Sequence, residues 1–283
     1  MGFQRLIRQW LGGLNLGLIP VILAVSVIAL IFGMSEPLFF NERNFVNLIL
    51  QMAGIFTISI GVVFVLLIAE IDLSIAYVSA IGGVTMTLLL REGESNWPWW
   101  MAILTSLAIT SLIGYIHGLV ITKGRVPSFV VTLAGLMAWS GVVQILTTEF
   151  STAGTIVIQD PVVLGIANSY LPAPAGWMLY VVTAVSYLVS RGLMRKSNSI
   201  QGLAVEPIAR FLVKIVLLLT VFALATWYAN KDRGIPVVAV VMLVLVVFWS
   251  FIANRTRFGR YVYAVGGNRE AARRAGIDVD RVR

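Results

Sequence analysis

The sequence contains no cysteine and only one histidine, His117. It therefore has no disulfides, no thiolate nucleophile and no cluster of cysteine or histidine ligands for zinc. Charged residues are also scarce, at 12% of the 283 residues against about 25% in soluble domains, whereas 59% of the residues are apolar. This balance excludes an ordinary cytosolic enzyme, a disordered chain and a nucleic-acid binder with a solvated surface. The chain is predicted to be an integral membrane protein that carries no catalytic site and no metal.

Eight mostly apolar runs are long enough to cross about 30 Å of hydrocarbon as helices, although the sixth is short. They lie at about 16–33, 45–69, 73–90, 99–121, 128–148, 176–190, 211–229 and 235–253. The predicted fold class is all-α, a polytopic transmembrane helical bundle. Residues 1–253 are expected to form the membrane core and residues 254–283 a cytoplasmic segment.

The net charge of +8 reflects orientation rather than an anion-binding patch. If the N-terminus is cytoplasmic, 17 of the 21 lysines and arginines lie on that side, and only Arg43, Arg91, Lys231 and Arg233 lie outside. The excess of basic residues in cytoplasmic loops sets the orientation of membrane proteins. A cytoplasmic N-terminus is therefore predicted.

The outer loop 149–175 contains neither lysine nor arginine, and its prolines limit its conformational freedom. It is the largest predicted external surface. We expect an extracytoplasmic partner to contact it.

Small and hydroxylated residues form two stripes at helical spacing. One stripe comprises Ser106, Thr110, Gly114 and His117, and the other Ser128, Thr132, Gly135 and Trp139. Such stripes either allow close helix packing, as Gly114-x-x-x-Gly118 would, or line a water-filled path. Packing is favoured, and His117 is interpreted as a hydrogen-bonded residue near the inner interface rather than a proton relay.

The segment Glu70–Ser74 holds the only acids between residues 45 and 90. At a spacing of two residues, the carboxylates of Glu70 and Asp72 share a face only in an extended chain. Asp72 is expected to be the N-cap of the following helix. From these residues alone, a capped turn at the inner interface is slightly favoured over a broken helix that lines a transport path.

The segment Gly266–Gly276 predicts a helix of two turns. Asn268 is a suitable N-cap, Glu270 lies in the first turn, Arg273 and Arg274 lie in the last, and Gly276 fits the C′ position. Such a helix is too short to be stable alone, so another surface must hold it. No Gly-Lys-Ser/Thr follows Gly266-Gly267, so the segment is not a P-loop.

Together these motifs resemble the permease subunits of bacterial ABC importers for monosaccharides, the group that includes ribose, xylose and arabinose permeases. The resemblance is carried, in order, by Glu36-Pro37 with Asn44–Leu48, by Glu70–Ser74, by Val126–Gly135 and by Thr256–Val282. Most family members have Gly-Gly where this chain has Ala69-Glu70. That difference looks like the D-xylose branch, as do residues 170–173 and the long inner segment 191–210.

The resemblance implies a homodimeric pore, a sugar-binding protein that docks outside and an ATPase subunit that hydrolyses ATP inside. This chain is then no enzyme and binds no cofactor itself; ATP is used by the partner ATPase. The implied translocation path includes Glu70, Asp72, Ser74, Pro127, Ser128 and Thr132. The implied contact with the ATPase includes Gly266, Gly267, Asn268, Glu270, Ala271, Ala272 and Gly276. With the resemblance, the functional interpretation of Glu70–Ser74 becomes the favoured one.

Family members continue with several more spans after the stretch that corresponds to Gly266–Gly276. This sequence is therefore expected to be the N-terminal two-thirds of a permease, either as a fragment or as a real truncation. Two alternatives to an ATP-driven importer remain open. One is a secondary transporter that couples protons through Glu70, Asp72 and His117, and the other is a membrane remnant that binds partners without transporting.

Overall fold

The computed structural model describes residues 18–93, 95–151, 156–203, 205 and 207–283. The described chain is almost entirely helical, which confirms the predicted all-α polytopic class. The helices are α1 (Leu18–Ser35), α2 (Glu42–Leu67), α3 (Ile75–Leu89), α4 (Trp99–Thr122), α5 (Ser128–Phe150), α6 (Pro161–Asn168), α7 (Ala173–Ile200), α8 (Ile208–Ala229), α9 (Val237–Arg255), α10 (Arg257–Gly267), α11 (Arg269–Arg274) and α12 (Val279–Val282). Two strands of two residues each, β1 (Tyr170–Leu171) and β2 (Ile235–Pro236), complete the list.

Every predicted span corresponds to a helix. Among the described residues, α2, α4, α5, α7, α8 and α9 are long and apolar enough to cross a membrane unaided. The helices at the first and third predicted spans, α1 and α3, are apolar but shorter. Most of the large apolar side chains on these helices are exposed in the isolated chain, as expected for surfaces that face lipid. Arg5 and Arg8, which support the predicted orientation, lie outside the described residues.

Two connections differ from the sequence prediction. Helix α7 continues to Ile200 and α8 begins at Ile208, so most of the predicted inner segment 191–210 is helical. The guanidinium of Arg195 lies 5.1 Å from the ring centre of Phe211. The outer loop 149–175 contains α6, for which no helix was predicted. Asp160 caps α6 by accepting the amide hydrogens of Val162 and Val163. Pro161 at the first helical position also favours this start.

The chain divides into two compact units. The first comprises residues 1–48 and 172–234. Its helices α7 and α8 form an antiparallel pair in which Tyr180 donates to the carbonyl oxygen of Leu219 at 3.3 Å. At the start of α2, the side chain of Asn47 accepts a hydrogen bond from Arg233 at 2.6 Å.

The second unit comprises residues 49–171 and 235–283 and contains both predicted functional segments. Helix α3 packs against α4 and α5. Strands β1 and β2 pair antiparallel, with Tyr170 opposite Pro236, and so join the end of α6 to the start of α9. After α9, the short helices α10, α11 and α12 pack together around buried Val265, Ala272 and Val279.

Candidate functional site

A non-helical break of seven residues separates α2 from α3, and its second residue is left-handed. Ala69 has φ = 57°. Its amide donates to Leu66 O at 2.9 Å and the amide of Glu70 donates to Val65 O at 3.2 Å. These two bonds form the Schellman motif that closes many helix C-termini, usually with glycine in the left-handed position. Alanine there costs about 1–2 kcal/mol, so the turn is held against backbone strain.

Asp72 lies in the break, but it is not the N-cap that the sequence predicted. Helix α3 begins at Ile75 with Ser74 at the N-cap, and the Ser74 side chain makes no capping bond. Instead, Asp72 Oδ1 accepts the amide hydrogen of Ser74 at 2.8 Å and its hydroxyl hydrogen at 2.7 Å. An aspartate bonds readily to the amide two residues ahead, and this local turn competes with capping.

The hydroxyl of Ser74 extends this contact into the neighbouring helices. Ser74 is fully buried, and its Oγ lies 3.4 Å from His117 Nδ1 on α4. His117 Nε2 in turn accepts a hydrogen bond from Trp139 Nε1 on α5 at 3.0 Å. Because an indole nitrogen only donates, Nε2 carries no proton here, and a neutral His117 holds its proton on Nδ1. The prediction that His117 is a hydrogen-bonded residue is confirmed.

Directions of donation are consistent along this whole chain of groups, which we call the Asp72 network (Asp72, Ser74, His117 and Trp139). Trp139 donates to His117, Nδ1 of His117 faces Ser74, and Ser74 donates to Asp72. The network joins the break to three packed helices. Gly135 makes room for it, since a Cβ there would lie 2.7 Å from His117 Cε1.

Ser128 and Thr132, two of the predicted path residues, hold the break from the α5 side. The amide of Ile71 donates to Ser128 Oγ at 3.4 Å. The hydroxyl of Thr132 lies 3.2 Å from the Ile71 carbonyl oxygen and 2.9 Å from Ser128 O, so its one hydrogen is shared between the two acceptors. Thr132 is buried at 2% exposure. Pro127 is the N-cap of α5 and immediately precedes Ser128. The structure thus brings Asp72, Ser74, Ser128 and Thr132 together around Ile71.

Glu70 belongs to a different set of contacts. Its Oε1 accepts from Arg269 Nη2 at 2.8 Å and from Arg283 Nε at 2.7 Å. We call these three residues the Glu70 cluster. Neither arginine was among the predicted site residues, and nothing in the sequence distinguished them from the other basic residues after α9. Glu70 therefore faces the segment that follows α9.

Helix α11 forms as predicted. Asn268 accepts the amide hydrogen of Ala271 at 2.9 Å, Glu270 lies in the first turn, and Gly276 has φ = 83° at C′. The amides of Gly276 and Ile277 donate to Arg273 O and Ala272 O, both at 3.0 Å, and complete a Schellman motif.

The surface of α11 differs from the sequence prediction, which placed Ala271 and Ala272 together in the contact with the ATPase. Ala272 is 4% exposed and packs against Val265 and Val279, whereas Ala271 and Ala275 are exposed. The surface that supports α11 is therefore α10 and α12 of the same chain. A Cβ at Gly266 would collide with Leu67 O, while a Cβ at Gly267 would meet no neighbouring atom.

The predicted packing stripes are only partly used inside this unit. Ser106 is buried. Thr110 packs closely on Gly82, where a Cβ would lie 2.9 Å from Thr110 Cγ2. A Cβ at Gly114 or Gly118 would meet no neighbouring atom. Within the described residues, no group of three or more His, Asp or Glu side chains is placed to hold a metal ion. The arrangement places hydroxyl, imidazole and carboxylate groups at an interruption between two apolar helices.

These features define a polytopic membrane permease with a polar break in one of its helices. Residues 44–283 match the family model described as "Branched-chain amino acid transport system / permease component". The chain belongs to this family. Its similarity to sugar permeases places it among the permease subunits of ABC sugar importers. The relatives are permeases of the cell membrane rather than enzymes, as the sequence predicted for this chain.

Two xylose permeases and a ribose permease are similar over nearly the whole chain. The xylose transport system permease protein XylH of Escherichia coli (strain K12) is 34% identical over 279 residues, 96% of this chain and 68% of that protein. XylH of Haemophilus influenzae is 30% identical over 282 residues, 96% of this chain and 72% of that protein. The ribose import permease RbsC of Haemophilus influenzae is 26% identical over 269 residues, 92% and 61% respectively. No solved structure matches the chain.

Proposed function

We propose that this chain is the membrane-spanning subunit of an importer that moves D-xylose inward by alternating access, driven by a separate ATPase. Similarity to xylose permeases over 96% of the chain supports the choice of sugar. The observation that carries the transport role is the break at residues 68–74, where Asp72 and Ser74 lie beside Ser128 and Thr132 of α5. Transporters place binding groups at interrupted helices because only there are backbone groups free to meet a solute.

The proposed topology has eight spans, with α1 and α3 included and the N-terminus in the cytoplasm. Hydrogen bonds within each unit support the inclusion of α3. Asn47 bonds to Arg233 and Glu70 bonds to Arg269, so each pair lies on one side of the membrane. The chain must therefore cross an even number of times between the members of each pair. Five long apolar helices lie between them in both cases, and α3 supplies the sixth crossing.

Helix α3 has 15 residues and spans about 22 Å at about 1.5 Å per residue, which is short for a bilayer. The extended residues of the break make up part of the difference. A short helix preceded by a non-helical segment is expected for a span that is interrupted where it lines a transport path. On this topology, residues 1–253 form the core, and residues 254–283 lie in the cytoplasm, where basic residues concentrate.

The proposed partners follow from the topology. An ATP-binding subunit contacts the exposed side of α11, at Ala271 and Ala275, and binds and hydrolyses the ATP. An extracytoplasmic sugar-binding protein docks on the opposite side, where α6 gives the loop 149–175 a capped helix. A second copy of the permease completes the pore.

Proton coupling through Glu70, Asp72 and His117 is not favoured by the geometry. Glu70 pairs with two arginines, while Asp72 and His117 belong to the other network. Because His117 Nε2 accepts from Trp139, a second proton on that ring would break the bond.

Uptake into proteoliposomes tests the proposal. The permease is reconstituted with its ATPase and sugar-binding subunits, and radiolabelled D-xylose is supplied outside. We expect uptake that requires ATP inside, persists in the presence of a protonophore and is poorly inhibited by excess ribose. Uptake driven by a proton gradient without the ATPase would contradict the proposal.

A further inference from the structure

The contacts of Glu70 assign it a role that the path residues do not share. We propose that Glu70 is a positioning residue: it fastens the α10–α12 segment to the break, so that displacement of α11 is passed to the start of α3. This inference rests on the proposed function, because it names the link between ATP hydrolysis and the path. The Glu70 side chain is only 11% exposed, and both arginines bond to the same carboxylate oxygen.

Arg269 connects the two segments through three acceptors. Its Nη2 donates to Glu70 Oε1 at 2.8 Å and also approaches the carbonyl oxygens of Ile68 at 3.1 Å and Ala69 at 3.2 Å. These carbonyls lie at the C-terminal end of α2, where a cation is stabilised by the helix dipole and by unpaired acceptors. Arg269 is thus the first residue of α11, and its side chain caps the C-terminal end of α2.

Gly266 provides a second attachment that does not depend on charge. A Cβ at this position would overlap Leu67 O, so the end of α10 packs directly against the backbone at the end of α2. This close approach brings the following residue pair, Asn268 and Arg269, within reach of the break. Backbone contact and ion pair therefore hold the same two segments together.

The break can transmit a displacement because both sides of Ile71 are held. Its amide donates to Ser128 Oγ, and its carbonyl oxygen shares the Thr132 hydroxyl hydrogen with Ser128 O. Asp72 and Ser74 follow within three residues and are tied to His117 by the Asp72 network. A displacement of Glu70 must therefore strain or shift these hydrogen bonds, because the residues next to it are held on both sides.

The negative charge of Glu70 is what holds two guanidinium groups at one oxygen. A neutral amide would leave the guanidinium groups of Arg269 and Arg283 next to each other without a negative charge between them, in a partly buried place where their repulsion is weakly screened. The exposed pair Arg281–Asp278 differs, with side-chain exposures of 87% and 57%. Ion pairs of that kind contribute little and offer a matched control.

The test compares Glu70→Gln and Arg269→Gln with Arg281→Gln in the full reconstituted transporter. D-Xylose uptake and ATP hydrolysis are measured in the same proteoliposomes, with the wild type first. We expect Glu70→Gln and Arg269→Gln each to raise the ATP hydrolysed per sugar moved by about tenfold. The ATPase subunit stays bound and the half-saturating sugar concentration stays the same. The double variant should be no worse than Glu70→Gln alone, because that change already removes the Glu70–Arg269 ion pair. Arg281→Gln should behave as wild type.

Folding is checked by the thermal unfolding midpoint in detergent. If Glu70→Gln does not fold, Arg269→Lys is tested instead. Lysine keeps the positive charge, but it lacks the guanidinium group that contacts Glu70 and the carbonyl oxygens of Ile68 and Ala69. A wild type without ATP-dependent uptake would overturn the proposed function, and the role of Glu70 with it. Normal coupling in the folded variants of a transporting wild type would overturn the role of Glu70 alone.

Discussion

Two polar groups of residues begin within three residues of each other and differ in almost every physical respect. The Asp72 network extends from the break to α4 and α5 through hydroxyl, imidazole and indole groups. The Glu70 cluster consists of one carboxylate and two guanidinium groups, and it joins the end of α2 to the segment after α9. The two carboxylates are near in sequence but have no partner in common. The break therefore has one polar set in contact with the proposed path and another in contact with the proposed ATPase side.

The largest expected effect comes from introducing a side chain at Gly266. In Gly266→Val, the new side chain must displace Leu67 O and separate α10 from α2, at a cost of at least about 2 kcal/mol. We expect a thermal unfolding midpoint several degrees lower and loss of sugar-stimulated ATP hydrolysis.

The control for Gly266 is Gly267→Ala, where a Cβ meets no neighbouring atom and little change is expected. If both variants unfold at the wild-type temperature, the close packing of α10 on α2 is wrong. That outcome would leave the ion pairs of Glu70 as the only link between the two segments.

A smaller effect is expected from Trp139→Phe, which removes one end of the Asp72 network and preserves most of the ring. His117 Nε2 then loses its donor, at a cost of about 1–3 kcal/mol if no other donor replaces it. We expect reduced uptake with an unchanged ratio of ATP hydrolysed to sugar moved. A changed ratio with normal uptake would mean that the two polar groups are not separate.

The smallest effect concerns the strained turn that both groups share. Ala69→Gly should raise stability by up to about 1 kcal/mol, because glycine occupies the left-handed region without a Cβ clash. A slightly higher unfolding midpoint is the expected result. A lower midpoint would show that the methyl group of Ala69 has favourable contacts that outweigh its backbone strain.

Much of this arrangement follows from sequence patterns. The apolar runs predict the helices because a bilayer demands about twenty apolar residues per crossing. The α11 helix is predictable in detail, since Asn268, Glu270 and Gly276 each satisfy a position-specific requirement of a short helix.

The rest depends on which segments meet in three dimensions. The pairing of Glu70 with Arg269 joins residues 199 positions apart, and all seven basic residues after α9 carry the same charge. Burial of Ala272 likewise depends on how α10 and α12 fold back on α11. For Asp72, an N-cap and a local turn are both plausible from sequence, and the hydroxyl of Ser74 decides between them.

The central claim is that the break carries two separable roles, and one comparison tests it most directly. D-Xylose uptake and ATP hydrolysis are measured over a range of sugar concentrations for wild type, Asp72→Asn and Glu70→Gln. The account predicts that Asp72→Asn changes the half-saturating sugar concentration or the uptake rate but keeps the ratio of ATP to sugar. Glu70→Gln should change that ratio and keep the half-saturating concentration. Variants that change both quantities together would contradict the claim.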